Sequence, residues 1–275
     1  MIAVILAAGM ASRLRPLTND RPKCLLEVGR RTLLQRTVDA LLEAGLREFV
    51  VVTGYRGEMI RQFLTKQYPD QTFHFIDNAI YDKTNNIYSL WLTRPFTDGK
   101  DFLLLDSDIL FDPALLRPLL ETPSAALAVN RHEMGEEEVK AVVDKDKRVV
   151  GIGKQYAPDE AFGESVGIEK MTADYSAALF ETLTPMIETE GLVNVFYEAA
   201  FQRLAEANHF FKAIDTTSFF SIELDTVEDF QCAQERIPPH LFQGESDCRI
   251  RLLNLESLFA DSASRLIVSC RLCAS

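Results

Sequence analysis

Long apolar runs are missing from this sequence. The apolar stretch near its start, Ile2–Ala8, is far shorter than the roughly 20 residues that a membrane helix needs, and no other segment approaches that length. The basic residues of a secretory signal peptide do not precede this stretch, and arginine-rich sequence follows it instead of a cleavage site. We therefore expect no membrane partner and a cytoplasmic location.

Positive charge is also scarce. The chain has 29 Lys and Arg against 41 Asp and Glu, a formal net charge of −12. This balance argues against non-specific binding to nucleic acid or to an anionic membrane. The first 36 residues are an exception, because they hold seven Lys or Arg against Asp20 and Glu27. A local positive patch on an acidic protein suits a small anionic ligand better than a polymer.

Cysteine and histidine offer few candidates for chemistry. The five cysteines are an odd number, which fits free thiols in a reducing compartment. Cys270 and Cys273 form a CxxC pair, but no second pair lies at the spacing of a zinc ribbon. None of the four histidines sits in a recognisable motif. The search for a site therefore turns to basic residues and carboxylates.

Strands and helices alternate along the first part of the chain. Glu48–Thr53 and Thr72–Asp77 have the composition of buried strands, and Leu33–Ala44 and Glu58–Tyr68 have helical periodicity. This order predicts parallel strands joined by right-handed crossovers. The predicted fold class is therefore α/β, with a doubly wound, mainly parallel sheet. From Val139 onward the predicted strands are shorter.

The opening segment combines a strand, a small-residue loop and a basic run. Ile2–Leu6 is a buried-strand pattern, and the loop after it has almost no side-chain bulk, so phosphate oxygens could approach its main-chain amides. Four basic residues follow the loop: Arg13, Arg15, Arg21 and Lys23. This order of features fits a cradle for a triphosphate. A turn between a strand and a helix with solvated charges is the alternative.

Two carboxylates end the apolar run of another predicted strand, Asp101–Asp108. Asp106 and Asp108 would repel each other by about 4 kcal/mol at roughly 4 Å and an effective dielectric near 20. A cation between them would relieve that repulsion, and hard oxygen ligands beside a phosphate suit Mg²⁺. Capping of the following helix is the alternative role for these residues.

The opening motif carries a family resemblance. LAAGMASRLRPLT followed by RPKCL resembles the start of the nucleotidyltransferases that include sugar-1-phosphate nucleotidylyltransferases and phosphocholine cytidylyltransferases. The chain departs from that pattern at Ala11, where the family usually has Gly, and the extra methyl could narrow the loop or shift an amide. The resemblance continues with gaps to about Ile237.

That resemblance implies a domain organisation. It predicts a nucleotidyltransferase domain at residues 1–237, with the Rossmann-like fold of the family. The shorter strands from Val139 onward are expected to form a small antiparallel insertion that lies as a layer over the substrate side, as in the family. Residues 238–275 are expected to be a C-terminal tail whose role the sequence does not indicate.

The resemblance also implies the catalytic residues. Lys23 and Arg13 are expected to act on the transferring phosphoryl group and the triphosphate, and Asp106 and Asp225 to hold Mg²⁺. Asp106 is favoured because the family places a metal ligand at the first Asp of the DSD sequence. Asp225 ends the predicted strand Phe219–Thr226, where ELDTVEDF resembles the second metal-binding carboxylate. Helix capping by Asp225 is the competing role, and it does not exclude ligation.

Binding residues are implied in the same way. The opening loop is expected to bind the nucleotide through Leu6, Ala7, Ala8, Gly9 and Arg13. NNIYSL resembles the cytidylyltransferase branch, so Asn86 or Ser89 is expected to read the edge of a pyrimidine, although a helix cap is the simpler role for the asparagine pair. The candidates for substrate binding are Lys154 and Glu164, together with Asn194 and Tyr197 near the start of the predicted helix Val193–Ala207.

The implied reaction is nucleotidyl transfer with release of pyrophosphate. CMP from CTP would pass to a small phosphorylated or phosphonate alcohol or amine, such as phosphocholine or 2-aminoethylphosphonate. Its phosphate is already anionic near pH 7, so no general base is required. Glu136–Val139 stands where phosphocholine enzymes place a tryptophan, and a quaternary ammonium usually needs an aromatic cage. This favours an amine smaller than choline, or another phosphorylated alcohol such as inositol phosphate.

Two other functions stay open. A sugar-1-phosphate nucleotidylyltransferase is weakened because Gly153-Lys154-Gln155 stands where those enzymes commonly have E-K-P. A catalytically inactive, nucleotidyltransferase-like regulatory domain is the second alternative. Such domains usually lose the basic loop or the aspartates, and both are present here.

Overall fold

The computed structural model describes residues 1–242, which form thirteen strands and eight α-helices. The strands are β1 (Ile2–Ala7), β2 (Glu27–Val28), β3 (Arg31–Thr32), β4 (Glu48–Thr53), β5 (Thr72–Asp77), β6 (Phe102–Asp106), β7 (Ile109–Phe111), β8 (Ala126–Asn130), β9 (Lys140–Val143), β10 (Val149–Gly153), β11 (Gly163–Met171), β12 (Lys212–Asp215) and β13 (Ser221–Glu223).

The helices alternate with these strands in the first half of the chain. They are α1 (Leu33–Glu43), α2 (Gly57–Gln67), α3 (Asn86–Leu92), α4 (Arg94–Thr97), α5 (Leu116–Glu121), α6 (Ala173–Glu188), α7 (Glu198–Glu206) and α8 (Val227–Arg236). Several begin at a side-chain cap. Thr32 accepts a hydrogen bond from the main-chain N–H of Gln35 at the start of α1, and Asn85 accepts one from Asn86 at the start of α3. The cap predicted for the asparagine pair is therefore present, at Asn85.

Nine strands form one sheet around a parallel centre. β6, β1, β4 and β5 are adjacent in that order, and all three pairings are parallel. β11 lies antiparallel beside β6, and β8 pairs with β11 and with β12. The predicted α/β class with a mainly parallel sheet is confirmed. The carboxyl ends of β1, β6, β8 and β12 therefore meet at one edge, which is where doubly wound sheets bind ligands.

The sheet separates two hydrophobic cores because side chains alternate along each strand. On β1, Ile2, Val4 and Leu6 face a core that includes residues of α3, α6 and α7. Ala3 and Ile5 face the opposite core, which includes residues of α1, α2 and α5. Such burial on both faces explains why β1 is a continuous apolar run and does not alternate apolar with polar residues.

The antiparallel insertion is present, but its placement differs from the expectation. The expectation is a layer over the substrate side. In the structure β11 joins the main sheet directly, pairing Ile168 with Leu105 of β6, and β9 and β10 extend the same sheet from β11. The physical reason is that β6 needs a partner on its second edge, and the apolar end of β11 supplies one.

A third core covers the opening loop with the last helix. Leu14 of the loop, Leu110 of β7, and Leu224, Phe230 and Ile237 around α8 belong to one cluster of buried residues. β13 pairs with β7 in a separate two-stranded sheet. The predicted strand Phe219–Thr226 is therefore shorter than expected and does not join the main sheet.

The predicted helix Val193–Ala207 begins five residues late. Gly191 adopts a left-handed conformation, with φ of 68°, and the main-chain carbonyl of Val193 accepts a hydrogen bond from the N–H of Asn85. Val193 and Val195 pack against the core instead of continuing a helix. This extended segment brings Tyr197 beneath the carboxyl edge of the sheet.

Part of the expected tail lies outside the described residues. Pro239–Phe242 forms a short 3-10 turn. The remainder of the predicted tail, residues 243–275, lies outside the described residues. No helix within residues 1–242 is both long enough and apolar enough to cross a membrane.

Candidate active site

The opening loop starts directly from the buried end of β1. Leu6, Ala7 and Ala8 are at most 7% exposed, whereas Gly9 is exposed. A side chain added at Gly9 would meet no atom within 4 Å, so open space adjoins its main chain. The carbonyl of Ala8 accepts a hydrogen bond from the N–H of Tyr55, which anchors the base of the loop. The loop therefore has the exposure that the predicted nucleotide role requires at Gly9.

Ala11 adopts a left-handed conformation. Its φ is 47° and its ψ is 52°, a region where the Cβ atom crowds the following carbonyl and which glycine enters without that cost. The glycine of the family pattern would adopt this conformation without that cost, so alanine at this position adds strain to the loop. Thr18 holds the loop in place, because its hydroxyl donates to the carbonyl of Ala11 at 2.9 Å.

Lys23 is buried between two carboxylates. Its Nζ atom lies 2.9 Å from Oδ2 of Asp108 and 2.7 Å from Oδ1 of Asp225. Burial alone would lower the pKa of Lys23, but the charges and hydrogen bonds of these carboxylates raise it above its ordinary value. The side chain is therefore a fixed cation. An ammonium group has three N–H donors, and these two bonds use two of them.

Arg13 reaches the same carboxylate from the exposed loop. Its Nη2 atom lies 2.5 Å from Oδ2 of Asp225. Burial would raise the pKa of Asp225, but Lys23 and then Arg13 hold it below its ordinary value. The structure thus brings together three of the predicted catalytic residues, Arg13, Lys23 and Asp225.

Three carboxylates form a compact group at this point. Asp108, Glu223 and Asp225 each offer an oxygen, and these oxygens lie within 4.8 Å of one another. Oδ1 of Asp108 is buried and has no hydrogen-bond partner among residues 1–242. Glu223 as a residue is exposed, yet desolvation of its carboxyl group and the charges of Asp108 and Asp225 raise its pKa to about 8.

This donor set fits a hydrated divalent cation. Mg²⁺ prefers carboxylate oxygens and keeps several of its waters, and a buried carboxylate oxygen without a donor is where such a water could bind. The raised pKa of Glu223 reflects repulsion from Asp108 and Asp225 together with desolvation, and a bound cation would relieve that repulsion. Asp108 and Glu223 were not among the predicted ligands.

Asp106 stands beside this group at the end of β6. Its Oδ2 atom accepts a hydrogen bond of 2.7 Å from the hydroxyl of Tyr197. Desolvation and the charge of Asp108 raise the pKa of Asp106 well above its ordinary value, although the Tyr197 hydroxyl opposes that shift. Asp106 is therefore close enough to Asp108 for the two charges to interact strongly. Its predicted role as a metal ligand stays a prediction.

Tyr197 also fixes the predicted base-reading segment. Its main-chain N–H donates to Oδ1 of Asn86 at 2.9 Å. Ser89 is 3% exposed, and its hydroxyl accepts a hydrogen bond from the side-chain amide of Asn78. The side-chain oxygen of Asn86 and the hydroxyl of Ser89 thus already form hydrogen bonds within the protein. Base recognition by these two residues stays a prediction.

The predicted substrate residues are spread around this edge. Lys154 lies over the ring of Phe196, with its Nζ atom 5.4 Å from the ring centroid and 3.4 Å from Oε2 of Glu137. Its charge also lowers the pKa of Glu198, although burial is the larger effect and raises that pKa to about 7. Asn194 is exposed on the extended segment before α7.

Glu164 pairs with a histidine that the sequence did not single out. Oε2 of Glu164 lies 2.6 Å from Nε2 of His132, and the other ring nitrogen lies 2.8 Å from the main-chain oxygen of Glu133. Both partners are acceptors, so both ring nitrogens must donate and the ring must be protonated. The hydrogen bond to Glu164 accordingly raises the pKa of His132 to about 9.

A second group of carboxyls is buried beneath Asp106. Glu169 is fully buried, and one oxygen each of Glu169 and Glu198 has no hydrogen-bond partner among the described residues. Desolvation and the charge of Asp106 raise the pKa of Glu169 well above its ordinary value. This group was not predicted, because the sequence of SVGIEK indicates a short strand and gives no sign that Glu169 is buried beside other carboxyls.

Comparison with known proteins places the chain in a group of enzymes. The family model described as "MobA-like NTP transferase domain" matches residues 3–207. The CTP:phosphoglutamine cytidylyltransferase of Campylobacter jejuni is 29% identical over 220 residues, which cover 78% of this chain and 79% of that protein. The CMP-5'-(3-aminopropyl)phosphonate synthase of Streptomyces rubellomurinus is 38% identical over 130 residues, 47% of this chain and 20% of that protein.

Solved structures with a similar fold are also known. The CTP:phosphocholine cytidylyltransferase of Streptococcus pneumoniae superposes with a TM-score of 0.74 at 21% identity, covering 86% of this chain and 99% of that one. The inositol-1-phosphate CTP transferase of T. maritima gives a TM-score of 0.70 at 22% identity, covering 88% and 93%. At these identities the likeness establishes the fold.

Proposed function

The chain belongs to the MobA-like NTP transferase domain family, and from this premise we propose that it transfers CMP from CTP to the phosphate or phosphonate of a small amine. The reaction forms a bond between an acceptor oxygen and the α-phosphorus of CTP. It breaks the bond from that phosphorus to the bridging oxygen, and pyrophosphate leaves. Similar proteins from C. jejuni and S. rubellomurinus are named for cytidylyl compounds of phosphorylated or phosphonate amines.

One observation carries the proposal. Lys23, from the loop that follows β1, is fixed 2.9 Å from Asp108 and 2.7 Å from Asp225. A buried lysine with two carboxylate partners and one unassigned N–H beside an exposed small-residue loop is suited to hold a phosphate oxygen. The exposed main-chain N–H of Gly9 and the guanidinium of Arg13, which contacts Asp225, are the further proposed donors.

The chemistry needs charge compensation more than proton transfer. A phosphate monoester is largely dianionic near pH 7, so it can attack without a general base. The barrier comes from bringing this anion up to a triphosphate. Lys23 and Arg13 are preorganised cations at that point, and fixed charges stabilise the transition state without the cost of reorganising solvent.

Mg²⁺ is the proposed cofactor. When bound, it supplies Lewis-acid neutralisation of the phosphate charge. Asp106 and Asp225 would hold it, as the family resemblance implies. Asp108 and Glu223 lie near enough to Asp225 for their charges to interact with the ion as well. Tyr197 holds the Asp106 carboxylate through the 2.7 Å hydrogen bond from its hydroxyl.

Asn86 and Ser89 are the proposed base-reading residues and favour a cytosine. The residues proposed to bind the phosphate or phosphonate acceptor are Lys154, Glu164, Asn194 and Tyr197. A reducing, cytoplasmic setting is part of the same proposal and agrees with the free thiols of Cys24 and Cys232.

The test is pyrophosphate release from each of CTP, UTP, GTP and ATP. The acceptors are phosphocholine, 2-aminoethylphosphonate, 3-aminopropylphosphonate, inositol 1-phosphate and glucose 1-phosphate, each with Mg²⁺. We expect CTP with an amine acceptor to give the highest kcat/KM. Release that favours UTP or dTTP with glucose 1-phosphate would replace the proposal with a sugar nucleotidylyltransferase, and release from no pair would refute it.

A further inference from the structure

Tyr197 is fully buried, yet both its hydroxyl and its main-chain N–H contact residues of the candidate active site. The residue is 0% exposed. Its hydroxyl donates to Oδ2 of Asp106 at 2.7 Å, and its N–H donates to Oδ1 of Asn86 at 2.9 Å. A side chain without exposed surface acts on a substrate only through the residues that it holds. The role of Tyr197 is therefore to be found in Asp106 and Asn86.

The position of the Tyr197 hydroxyl is fixed by packing and by the main chain. Its ring packs against Phe201 of α7, with centroids 5.0 Å apart, and Phe201 lies edge-on to Phe211, also at 5.0 Å. The extended segment that leads to Tyr197 is joined to the start of α3, because the carbonyl of Val193 accepts a hydrogen bond from the N–H of Asn85. Close packing of this kind holds a side chain in one conformation.

The Oδ2 atom of Asp106 is also enclosed by the main chain of β11. Gly167 has a left-handed conformation there, with φ of 78°, and a Cβ atom at this position would lie 3.1 Å from Oδ2 of Asp106. Oδ1 of Asp106 has no hydrogen bond from any group within residues 1–242, and the residue is only half-buried. Tyr197 and Gly167 therefore fix one oxygen of this carboxylate, and the other oxygen is available to a cation.

A fixed donor on a carboxylate has two possible roles. It can orient a metal ligand, and removal of such a donor typically lowers metal affinity by roughly 10- to 100-fold. Alternatively, the carboxylate serves the tyrosine, because a buried hydroxyl usually needs a hydrogen-bond partner. Only the first role makes the effect of the hydroxyl depend on a divalent cation.

From this geometry we infer that Tyr197 is a positioning residue for the metal, which acts by holding the Asp106 carboxylate so that Oδ1 is left for the ion. The inference rests on the proposed function for the assignment of Asp106 as a metal ligand. It refines the acceptor role proposed for Tyr197, because the residue does not reach the surface. The Tyr197 hydroxyl should therefore affect nucleotide binding only when a divalent cation is present.

Nucleotide binding with and without the cation tests this inference. Titration calorimetry uses the full 275-residue chain and cytidine 5′-(α,β-methylene)triphosphate, which cannot transfer CMP, in either Mg²⁺ or EDTA. Tyr197→Phe removes the hydroxyl and keeps the ring. It should raise the dissociation constant roughly 10- to 100-fold in Mg²⁺ and change it by less than about threefold in EDTA.

Tyr175→Phe is the matched control. The ring of Tyr175, on α6, lies 4.3 Å from that of Phe211, and its buried hydroxyl has no hydrogen-bond partner among the described residues. This variant loses the same atom from the same group of aromatic rings without loss of a bond to Asp106. Its dissociation constants should match those of the wild type in both solutions. Thermal melting of each variant reports whether it is folded.

The double variant tests whether Tyr197 acts through Asp106. Asp106→Asn should itself weaken binding of the analogue in Mg²⁺. Addition of Tyr197→Phe should then weaken it no further, because two residues that act as one unit have non-additive effects. A structural role of the hydroxyl would add its own loss to that of Asp106→Asn.

Three outcomes would overturn the inference: an equal loss in Mg²⁺ and EDTA for Tyr197→Phe, no loss in either solution, or a further loss in the double variant. Wild-type binding by Asp106→Asn in Mg²⁺ would refute the metal assignment and the inference with it. Turnover tests the proposed function separately. Pyrophosphate release from CTP, with no Mg²⁺-specific loss of binding in Tyr197→Phe, leaves the proposed function standing and refutes the inference. A Mg²⁺-specific loss without release from any acceptor supports the positioning role and refutes the proposed transfer.

Discussion

The Nζ atom of Lys23 lies 2.7 Å from Oδ1 of Asp225, although the two residues are 202 positions apart in the chain. The lysine comes from the loop after the first strand, and the aspartate precedes the last described α-helix. Their ion pair joins the two ends of the described chain at the proposed catalytic site. Its removal should therefore affect both stability and turnover.

Lys23→Ala should lower turnover by roughly 10²–10³, the effect of one preorganised charge at a transferring phosphoryl group. It should also destabilise the protein, because Asp108, Asp225 and Glu223 would then lie together with only the exposed Arg13 as a cation beside them. We expect a loss of roughly 2–3 kcal/mol, less than the 3–5 kcal/mol for a fully buried pair, measured by urea unfolding without Mg²⁺. Lys66→Ala, an exposed position on α2, is the control. A variant with more than a third of the wild-type rate would show that Lys23 is not catalytic.

The metal prediction concerns Asp106 and Asp225. Residues that bind one ion lose function together, so the rate losses of Asp106→Asn and Asp225→Asn should be far from additive in the double variant. Each single variant should need a higher Mg²⁺ concentration for half-maximal activity. Chelator should abolish activity and Mg²⁺ should restore it.

Asp108→Asn separates the two strand-end aspartates. If Asp108 serves mainly to hold Lys23, its loss should lower kcat while the Mg²⁺ requirement stays within about threefold. A large shift of the Mg²⁺ requirement in Asp108→Asn with none in Asp106→Asn would reverse the assignment, and the unpartnered Oδ1 of Asp108 would then be a metal-facing atom.

Ala11→Gly should stabilise the protein. The left-handed backbone at Ala11, with φ of 47°, costs an L-residue about 1–2 kcal/mol, and glycine gives back about 0.4–1 kcal/mol through its freer unfolded state. The net gain should be about 0.5–1 kcal/mol in urea unfolding. Ala44→Gly is the comparison, because Ala44 caps α1 with φ of −73°, where glycine relieves no strain. Stabilisation by both changes, or by neither, would contradict a strained loop.

Glu198 should make stability depend on pH. Burial raises its pKa from 4.5 to about 7 in the folded protein. A carboxyl whose folded pKa is raised stabilises the fold fully below about pH 4.5, and that contribution is lost as the pH rises through 7. Glu198→Gln should therefore have little effect at pH 4.5 and raise stability at pH 8 by up to about 3 kcal/mol, from 1.36 kcal/mol per pKa unit.

Thermal melts from pH 4.5 to 8.5 measure this difference. Glu206→Gln, an exposed position on the same helix, should show no trend with pH. A constant difference between Glu198→Gln and the wild type across this range would mean that Glu198 is ionised with its ordinary pKa.

The sequence predicts the parallel centre of this fold well, because both faces of β1 and β4 are buried and their residues form unbroken apolar runs. It also predicts the opening loop, because the small residues and the arginines that define this loop can be identified from the sequence directly. The strain at Ala11 is visible as a departure from the family pattern, but its cause is not, because backbone dihedrals are set by the surrounding packing.

Contacts between distant segments were harder to predict. Glu223 lies two residues before Asp225 in ELDTVEDF, and that spacing was a usable signal for a second carboxylate. The pairing of His132 with Glu164 had none, because it depends on β8 lying beside β11 in the sheet. The helix predicted from Val193 fails because a positive φ at Gly191 and burial of the valines outweigh helical periodicity.

The third core sets the order in which the site can be completed during synthesis. Leu14 of the opening loop packs with Leu224, Phe230 and Ile237, so the loop lacks its cover until the ribosome has released α8. A nascent chain that ends near residue 207 contains the whole family match but not Asp225. Such a chain would hold Lys23 beside Asp108 alone. On the proposed mechanism, which uses Asp225, nucleotide turnover begins only after the last described helix has docked.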